Sequence, residues 1–493
     1  MVRVSTRSLM RLEYRLVIAV VSLFGVGFYL FFSALVFRVG FPLDDSWIHL
    51  TYARNFAEYG EWAFRLGERS AGSTSPLWTF LLSLGFFLRL APYVWTYFLG
   101  WVLLTLFGIQ AENAARSFLS SYRPNLPWMG MFFVLEWHFT WSAVSGMETL
   151  LHGLVLLTVL TALMNGLRHY LRLGLLAGLS VWIRPDGLTL LGPILFAAFL
   201  AEATWSARWQ AILKTLIGFG VFFFFYLLFN LALSGNPFPN TFYAKQAEYE
   251  SFWLSKTLTE RFGNYLGVVV ASPFLALIPG VFLWVWKVFK TRNWGAAAGV
   301  IWFFGYVAIY FMRLPAYQHG RYIIPALPIL YLWGILGTVE FISSFKDNKR
   351  LIFLWYSAIV ALSLTFGFLG ARQNASDVYW VEHEMVATAK WVRQNLPPNA
   401  LLAVHDIGAL GYFVTNPLID MAGLVNPEVV SFIRDEEQLA EYLTANSADY
   451  LIVFPGFYPK LTSGLQSVFI AKTDPAVLQV DDQMQVYRWS AGH

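Results

Sequence analysis

Two adjacent carboxylates, Asp44 and Asp45, stand in FPLDDSWIHLTYARNF directly after the first long apolar run. A carboxylate can take the proton of a hydroxyl whose oxygen is forming a bond, while its neighbour orients it or holds a hard cation. Further polar groups recur beside later apolar runs: Glu148 in SGMETLL, Arg184 with Asp186 in RPDG, Asn240, Tyr243 and Lys245 in NPFPNTFYAK, and Arg313, His319, Arg321 and Tyr322 in RLPAYQHGRY. The stretch after the aspartates adds His49, Arg54, Arg65, Glu68 and Arg69. Acids beside fixed cations suit displacement of an anionic leaving group by a hydroxyl.

Each group also has a plain structural reading. Asp45 can cap a helix beginning at Ser46, and Glu148 can be a first-turn acid favoured by the helix dipole. Arg184 can snorkel to a membrane surface. His319 and Arg321 can form a polar turn, and Lys245 follows Ser-Gly and Pro-Asn steps that signal turns. Convergence favours chemistry, because isolated structural residues have no reason to gather at one end of a common set of helices.

Such a set of helices is what the composition demands. Of 493 residues, 57% are hydrophobic and 13% charged, with 45 Phe and 21 Trp, and the mean hydropathy is +0.54. No soluble fold needs that much apolar surface, and runs of spanning length recur along three quarters of the chain, so the protein reads as polytopic. The absence of cysteine excludes disulfides and thiolate metal sites. The net charge of +4 is small, and the basic residues lie near helix ends, a placement that suits topology better than nucleic-acid binding.

Residues 16–37 carry no charge and follow Arg3, Arg7, Arg11 and Arg15, which keeps the N-terminus cytoplasmic. Later inner turns are marked by Arg116 and Arg123, Arg168 and Arg172, Arg208 and Lys214, Lys287 with Lys290 and Arg292, and Lys346 with Lys349 and Arg350. Between them fall spans near 93–115, 127–145, 148–166, 173–184, 187–202, 212–233, 264–286, 295–312, 322–343 and 351–370, about eleven with the first. An odd number leaves the C-terminal segment outside. Residues 76–90 are apolar but short, and fit an interfacial or partly inserted helix. The short pair 173–184 and 187–202, broken at Arg184-Pro185-Asp186-Gly187, needs protein or a water-filled cavity to satisfy its backbone.

The expected architecture is therefore an all-α transmembrane bundle over 1–370, with an outer first loop at 38–92, and an extracytoplasmic α/β domain over 371–493. In that domain DVYWVEHEMVATAKWVRQNLPPNA reads as an amphipathic helix ended by Pro397-Pro398, and 400–406, 449–455 and 484–490 read as strands. The polar groups then share the outer rim of the membrane. Arg184, Lys245 and Arg321 offer cations to a lipid-linked phosphate, and Asp45 or Asp44 offers the base. A divalent ion on Asp44, Glu148 and His49 or His319 is an alternative partner for the leaving phosphate. Oxygen ligands favour Mg2+ or Mn2+, and added histidine shifts the preference toward Zn2+.

Taken in order, LDDSWIHLTYARNFAEYGEWAFRLGERSAGSTSPLW (43–78), SGMET (145–149), RPDG (184–187), PNTFYAK (239–245), HGRY (319–322) and the tail segments DIGALGYF and DMAGLVNPE resemble the GT-C superfamily of polytopic glycosyltransferases. The likeness spans nearly the whole chain and is greatest to the mycobacterial terminal arabinofuranosyltransferase group and its bacterial relatives. It implies an enzyme of the cytoplasmic membrane that moves a sugar, with inversion, from a polyprenyl-phosphate donor to a glycan, lipid or protein hydroxyl on the extracytoplasmic side. It maps the base onto Asp45, with Asp44 orienting it or binding metal, and a second acidic position onto Glu148. Arg184, Lys245, His319, Arg321 and Tyr322 become the donor-phosphate set, and His49, Arg54 and Tyr243 substrate contacts. Trp47, Trp62 and Trp78 suit any sugar face. The C-terminal domain would cover the site or engage acceptor glycan, and its GALGYF and DMAGL segments read equally as structural turns. Two rival readings share these features: a transporter or flippase of a lipid-linked sugar, and a noncatalytic glycan-binding scaffold.

Overall fold

The computed structural model describes residues 12–119, 122, 124–343, 348–475, 477–478 and 482–489. Arg3, Arg7, Arg11, Arg123, Lys346 and the last residue of the 484–490 strand candidate lie outside the described residues. Among the described residues, seven helices are long and apolar enough to cross a membrane, beginning with Leu12–Val36 and Pro92–Phe118. Four shorter apolar helices accompany them: Pro76–Phe87, Thr149–Met164, Tyr170–Ile183 and the segment Pro185–Ala201. The protein is a multi-pass membrane bundle.

Two expected spans are broken, each for a local reason. Residues 127–145 form helices Trp128–Leu135 and Trp137–Val144 because Glu136 between them is extended (ψ 128°) and its carboxylate takes the backbone N–H groups of His138 and Phe139. That exchange starts a new helix instead of continuing the old one. Residues 264–286 split at Ala271-Ser272-Pro273, where extended Ser272 caps Phe274 through its hydroxyl and Pro273 cannot donate to the preceding turn. Residues 76–90 form a twelve-residue helix, Pro76–Phe87.

Small residues let the helices approach. Helix Tyr170–Ile183 packs along Trp205–Ser234 so closely that a Cβ on Gly174 would meet the Thr215 carbonyl oxygen at 2.2 Å. Helix Leu327–Ser343 is buried along almost its whole length at the centre of the bundle.

The helix beginning at Lys349 does not stop at the end of its apolar stretch. It runs to Val381, passes through one π-turn at Glu382–Val386 and continues as Ala387–Asn395. The π-turn carries two buried acids. Glu382 pairs with Arg38 and accepts from the Tyr93 hydroxyl at 2.9 Å, both from the bundle. Glu384 accepts from the Thr473 hydroxyl and the Met484 backbone N–H, both from the C-terminal domain.

That domain contains a five-stranded sheet: β1 (Leu402–Val404), β2 (Leu418–Asp420), β3 (Tyr450–Val453), β4 (Ser467–Ile470) and β5 (Gln485–Arg488), in the order β2-β1-β3-β5-β4. The first three strands are parallel, and β5 pairs antiparallel with β3 and β4. Period-two alternation gives the sheet two cores. Leu402, Val404, Leu418 and Ile452 join the core that continues into the bundle and includes helix Ile407–Phe413. Ala403, Ile419, Leu451 and Val453 pack with Leu439 and Leu443 of helix Glu436–Ala445 on the other face.

Candidate active site

Helix Asp45–Tyr59 opens with the aspartate pair. Asp45 lies within its first turn, and Asp44, at the N-cap position, makes no side-chain cap bond, so neither carboxylate is a helix cap. They face different partners. Both oxygens of Asp44 accept backbone N–H groups from the C-terminal domain, Gly408 at 2.7 Å and Ala409 at 2.8 Å. Asp45 accepts from Lys245 Nζ at 3.1 Å and Arg321 Nη2 at 2.5 Å. Burial, followed by the charge of Asp406, pushes the Asp44 carboxyl up to about 7 against the pull of its backbone bonds. Burial also pushes Asp45 upward, but Lys245 and Arg321 overrule it and hold that carboxyl well below the ordinary carboxylate range.

The two cations arrive from distant segments. Lys245 stands on helix Asn240–Ser255, which begins directly after extended Pro239, so the turn-rich loop expected there is a helix from Asn240 onward. Arg321 is buried and lies over the Tyr322 ring, 5.0 Å from its centroid, and Nη2 also reaches the Tyr322 hydroxyl at 3.2 Å. Its Nη1 is buried with no hydrogen-bond partner among the described residues. A guanidinium nitrogen in that condition is an open donor beside a carboxylate.

Behind this trio lies a second ionic network. Arg184 donates to Glu148 at 2.8 Å and to Asp186 at 3.1 Å, and Asp186 accepts the hydroxyls of Tyr306 and Tyr310 at 2.6 Å each. His49 lies 3.6 Å from Glu148 through Nε2, with Nδ1 at 3.1 Å from the Ser73 hydroxyl and 3.0 Å from that of Thr79. Arg184 is thus neutralised by two acids, whereas Arg321 and Lys245 share one.

The remaining expected contacts have other partners. His319, held at φ 61°, pairs with Asp377 at 2.7 Å and packs edge-on against Trp141. Arg54 donates to the Tyr412 carbonyl at 2.8 Å and lies over that ring, so it docks the C-terminal domain onto the first loop, as Arg65 does through the Leu418 carbonyl. Tyr243 packs against Phe242.

Two cavities meet at this place. One, of about 570 Å3, is lined by Asp44, Asp45, Lys245, His319, Asp377 and Asp406 among others, and lies between the bundle and the C-terminal domain. The other, of about 260 Å3, is mostly apolar, with Phe238, Phe242, Ile309 and Leu314 beside Arg184 and Tyr322. Lys245 lines both.

Asp44, Glu148 and His49 do not fit a divalent ion. Asp44 spends both oxygens on backbone donors, and Glu148 is tied to Arg184. Among the described residues no three His, Asp or Glu side chains converge as ligands. Sequence reasoning passed over Glu248, Asp377, His405 and Asp406, all of which line the larger cavity. The one available signal was AVHD, a short strand ending in a histidine and an aspartate. The tyrosines at 306 and 310 were hidden inside an apolar helix, one turn apart.

Known structures share this arrangement of bundle and C-terminal domain. ArnT from Cupriavidus metallidurans, in a crystal structure bound to undecaprenyl phosphate, superposes with a TM-score of 0.57 over 98% of this chain and 99% of its own, at 14% identity. The Archaeoglobus fulgidus oligosaccharyltransferase gives 0.55 over 91% of this chain and 70% of that one, at 12% identity. The fold is that of the GT-C glycosyltransferases. Mycobacterial arabinofuranosyltransferase AftD matches 98% of this chain with 40% of its own length, at a TM-score of 0.52 and 14% identity. The GT-C likeness therefore includes the C-terminal domain as well as the bundle. Residues 374–487 match the family model described as "Domain of unknown function (DUF8728)". No curated protein matches the sequence.

Proposed function

We propose that the chain is a glycosyltransferase that moves a sugar from a polyprenyl-phosphate donor to an acceptor hydroxyl at the outer rim of the membrane. The observation that carries this reading is the pair Lys245 and Arg321, closed on Asp45 where a polar cavity meets an apolar one, with Arg321 Nη1 unfilled. A prenyl tail suits the apolar cavity, and a phosphate at its mouth would take both cations. The bound undecaprenyl phosphate of the ArnT structure, a relative in fold alone, supports the same donor class.

Donor binding would then switch on the base. While Lys245 and Arg321 belong to Asp45, that carboxylate is a weak base; when phosphate shares them, its affinity for a proton rises. The acceptor oxygen attacks the anomeric carbon as the bond from that carbon to the phosphate oxygen breaks. The hydroxyl proton passes to Asp45, and polyprenyl phosphate leaves held by Lys245 and Arg321. A single displacement of this kind inverts the anomeric centre. The placement of the basic turns in the sequence supports the extracytoplasmic face of the cytoplasmic membrane as the side of this rim.

The test is a labelled undecaprenyl-phosphate sugar supplied to the protein in nanodiscs with a lipid extract as acceptor source. Wild type is expected to release undecaprenyl phosphate and label the extract. Asp45→Asn is expected to bind the donor but to lose roughly 10^2–10^4-fold in transfer, the usual worth of a positioned base. Transfer by Asp45→Asn at the wild-type rate would remove Asp45 as base, and failure of wild type to bind undecaprenyl phosphate would remove the donor.

A further inference from the structure

Among the described residues, Asp406 is the acid of the larger cavity with a buried carboxylate oxygen that no donor reaches. Five acids line that space, and four are engaged: Asp44 by two backbone N–H groups, Asp45 by two cations, Asp377 by His319 at 2.7 Å and Glu248 by His405 at 3.3 Å. Asp406 Oδ2 is buried with no hydrogen-bond partner among the described residues. A buried carboxylate oxygen without a donor is costly unless something supplies one.

Its place in the fold points the same way. Asp406 follows β1 at the carboxyl end of the parallel strands. The strand order β2-β1-β3 means that the chain leaves β1 in one direction and returns on its other side. Helix Ile407–Phe413 after β1 and helix Glu436–Ala445 before β3 pack on opposite faces of the sheet. The crevice between β1 and β3 is thus a topological switch point, where open parallel sheets hold ligands beyond the carboxyl ends of their strands. The residues that follow β1 (His405, Asp406, Ile407) and β2 (Ala422, Leu424) line the cavity that contains Asp45. His405 beside it is fixed from two sides, by Glu248 and by the Tyr458 hydroxyl at 2.7 Å, which holds the start of the loop in place.

We propose that Asp406 is an acceptor-binding residue, through which the C-terminal domain selects acceptors that present a hydroxyl or ammonium group and rejects anionic ones. This deepens the glycosyltransferase reading and rests on it: donor phosphate occupies Lys245 and Arg321, and the acceptor enters along the opposite, acidic wall. An acceptor hydroxyl donating to Asp406 would be held near Asp45, which takes its proton. An ammonium beside the reacting hydroxyl would gain from the surrounding acids, and a carboxylate or phosphate there would be repelled.

The probes are glucosamine, glucose and glucuronate, binding to the full chain in nanodiscs preloaded with undecaprenyl phosphate and followed by calorimetry. Wild type is expected to bind glucosamine at least tenfold more tightly than glucuronate, with glucose between them. Asp406→Asn is expected to reduce that preference to less than threefold while leaving undecaprenyl phosphate affinity unchanged. Glucuronate binding as tightly as glucosamine to wild type, or no saturable glucosamine binding, overturns the proposal, as does an unchanged preference in Asp406→Asn. If Asp406→Asn fails to fold, Asp406→Ser replaces it, and the wild-type order remains decisive alone. Loss of undecaprenyl phosphate binding by wild type sinks the donor reading instead, so the two failures are distinct.

Discussion

Asp44 and Asp45 are chain neighbours, yet one is bound by the C-terminal domain and the other by the bundle. Asp44 spends its carboxylate on the start of helix Ile407–Phe413, and Asp45 spends its own on Lys245 and Arg321. The contrast separates holding from reacting. A carboxylate that accepts two backbone N–H groups is locked to a rigid element, whereas one paired with long flexible cations can exchange them for a charged ligand. The two adjacent acids do different things: Asp44 joins the C-terminal domain to the bundle, and Asp45 pairs with the two cations proposed to take an anion.

The largest effect that would break this comparison is expected at Arg321. Arg321→Ala should weaken undecaprenyl phosphate binding roughly 10–100-fold, as for the loss of a charge-assisted contact of about 1.5–3 kcal/mol, with acceptor-probe binding unchanged. Unaltered donor affinity in a direct titration would show that Asp45 and Arg321 are as structural as Asp44. A smaller effect is expected at the joint. A Cβ on Gly408 would meet the Asp44 carbonyl oxygen at 2.1 Å and its Oδ2 at 2.5 Å. Gly408→Ala should therefore speed proteolysis at 396–400 and lower transfer about tenfold, near 1.4 kcal/mol, without changing donor affinity. Proteolysis at the wild-type rate would mean that the clamp is not what seats the domain.

The subtlest test uses pH. Asp44 titrates near 7 in the folded chain and near 4 unfolded, so between those values the folded state holds the extra proton. Stability should fall as pH rises from about 4 to about 7 and then level off. Asp420, raised to about 6 chiefly by burial, and Asp406, also raised by burial, act in the same direction. Asp45, held low, acts oppositely, losing stability only as pH falls below about 4. Thermal unfolding across this range should show a shallower slope in Asp44→Asn than in wild type; an equal slope would assign the titration elsewhere.

The residues that proved legible in sequence were those that interrupt an apolar run. Arg321 and Arg184 stand out because a charge at the end of an apolar helix is costly without a partner, and Lys245 because PNTFYAK follows a long apolar run. Asp377 and Glu248 did not stand out, because each lies in a segment already rich in polar residues, where one more acid looks like a solvated face, and Asp406 ended a run that read as a plain strand. Their partners are far along the chain: His319 stands 58 residues before Asp377. Strands β2 and β4 were missed for another reason, since three or four residues are too few to display alternation. The breaks at Glu136 and Ser272 were invisible to hydropathy, because a single Glu or Ser leaves its segment apolar on average.

The unbroken helix from the membrane into the C-terminal domain acts as a fixed spar. Lys349–Val381 has 33 residues, about 50 Å of helix at 1.5 Å per residue, against a hydrocarbon thickness of about 30 Å. Its π-turn is bolted to the bundle through Glu382 and to the sheet through Glu384. The height of the roof above the lipid is thereby set in advance. A ligand of the cavity between bundle and sheet would therefore enter sideways, at a depth that the helix fixes.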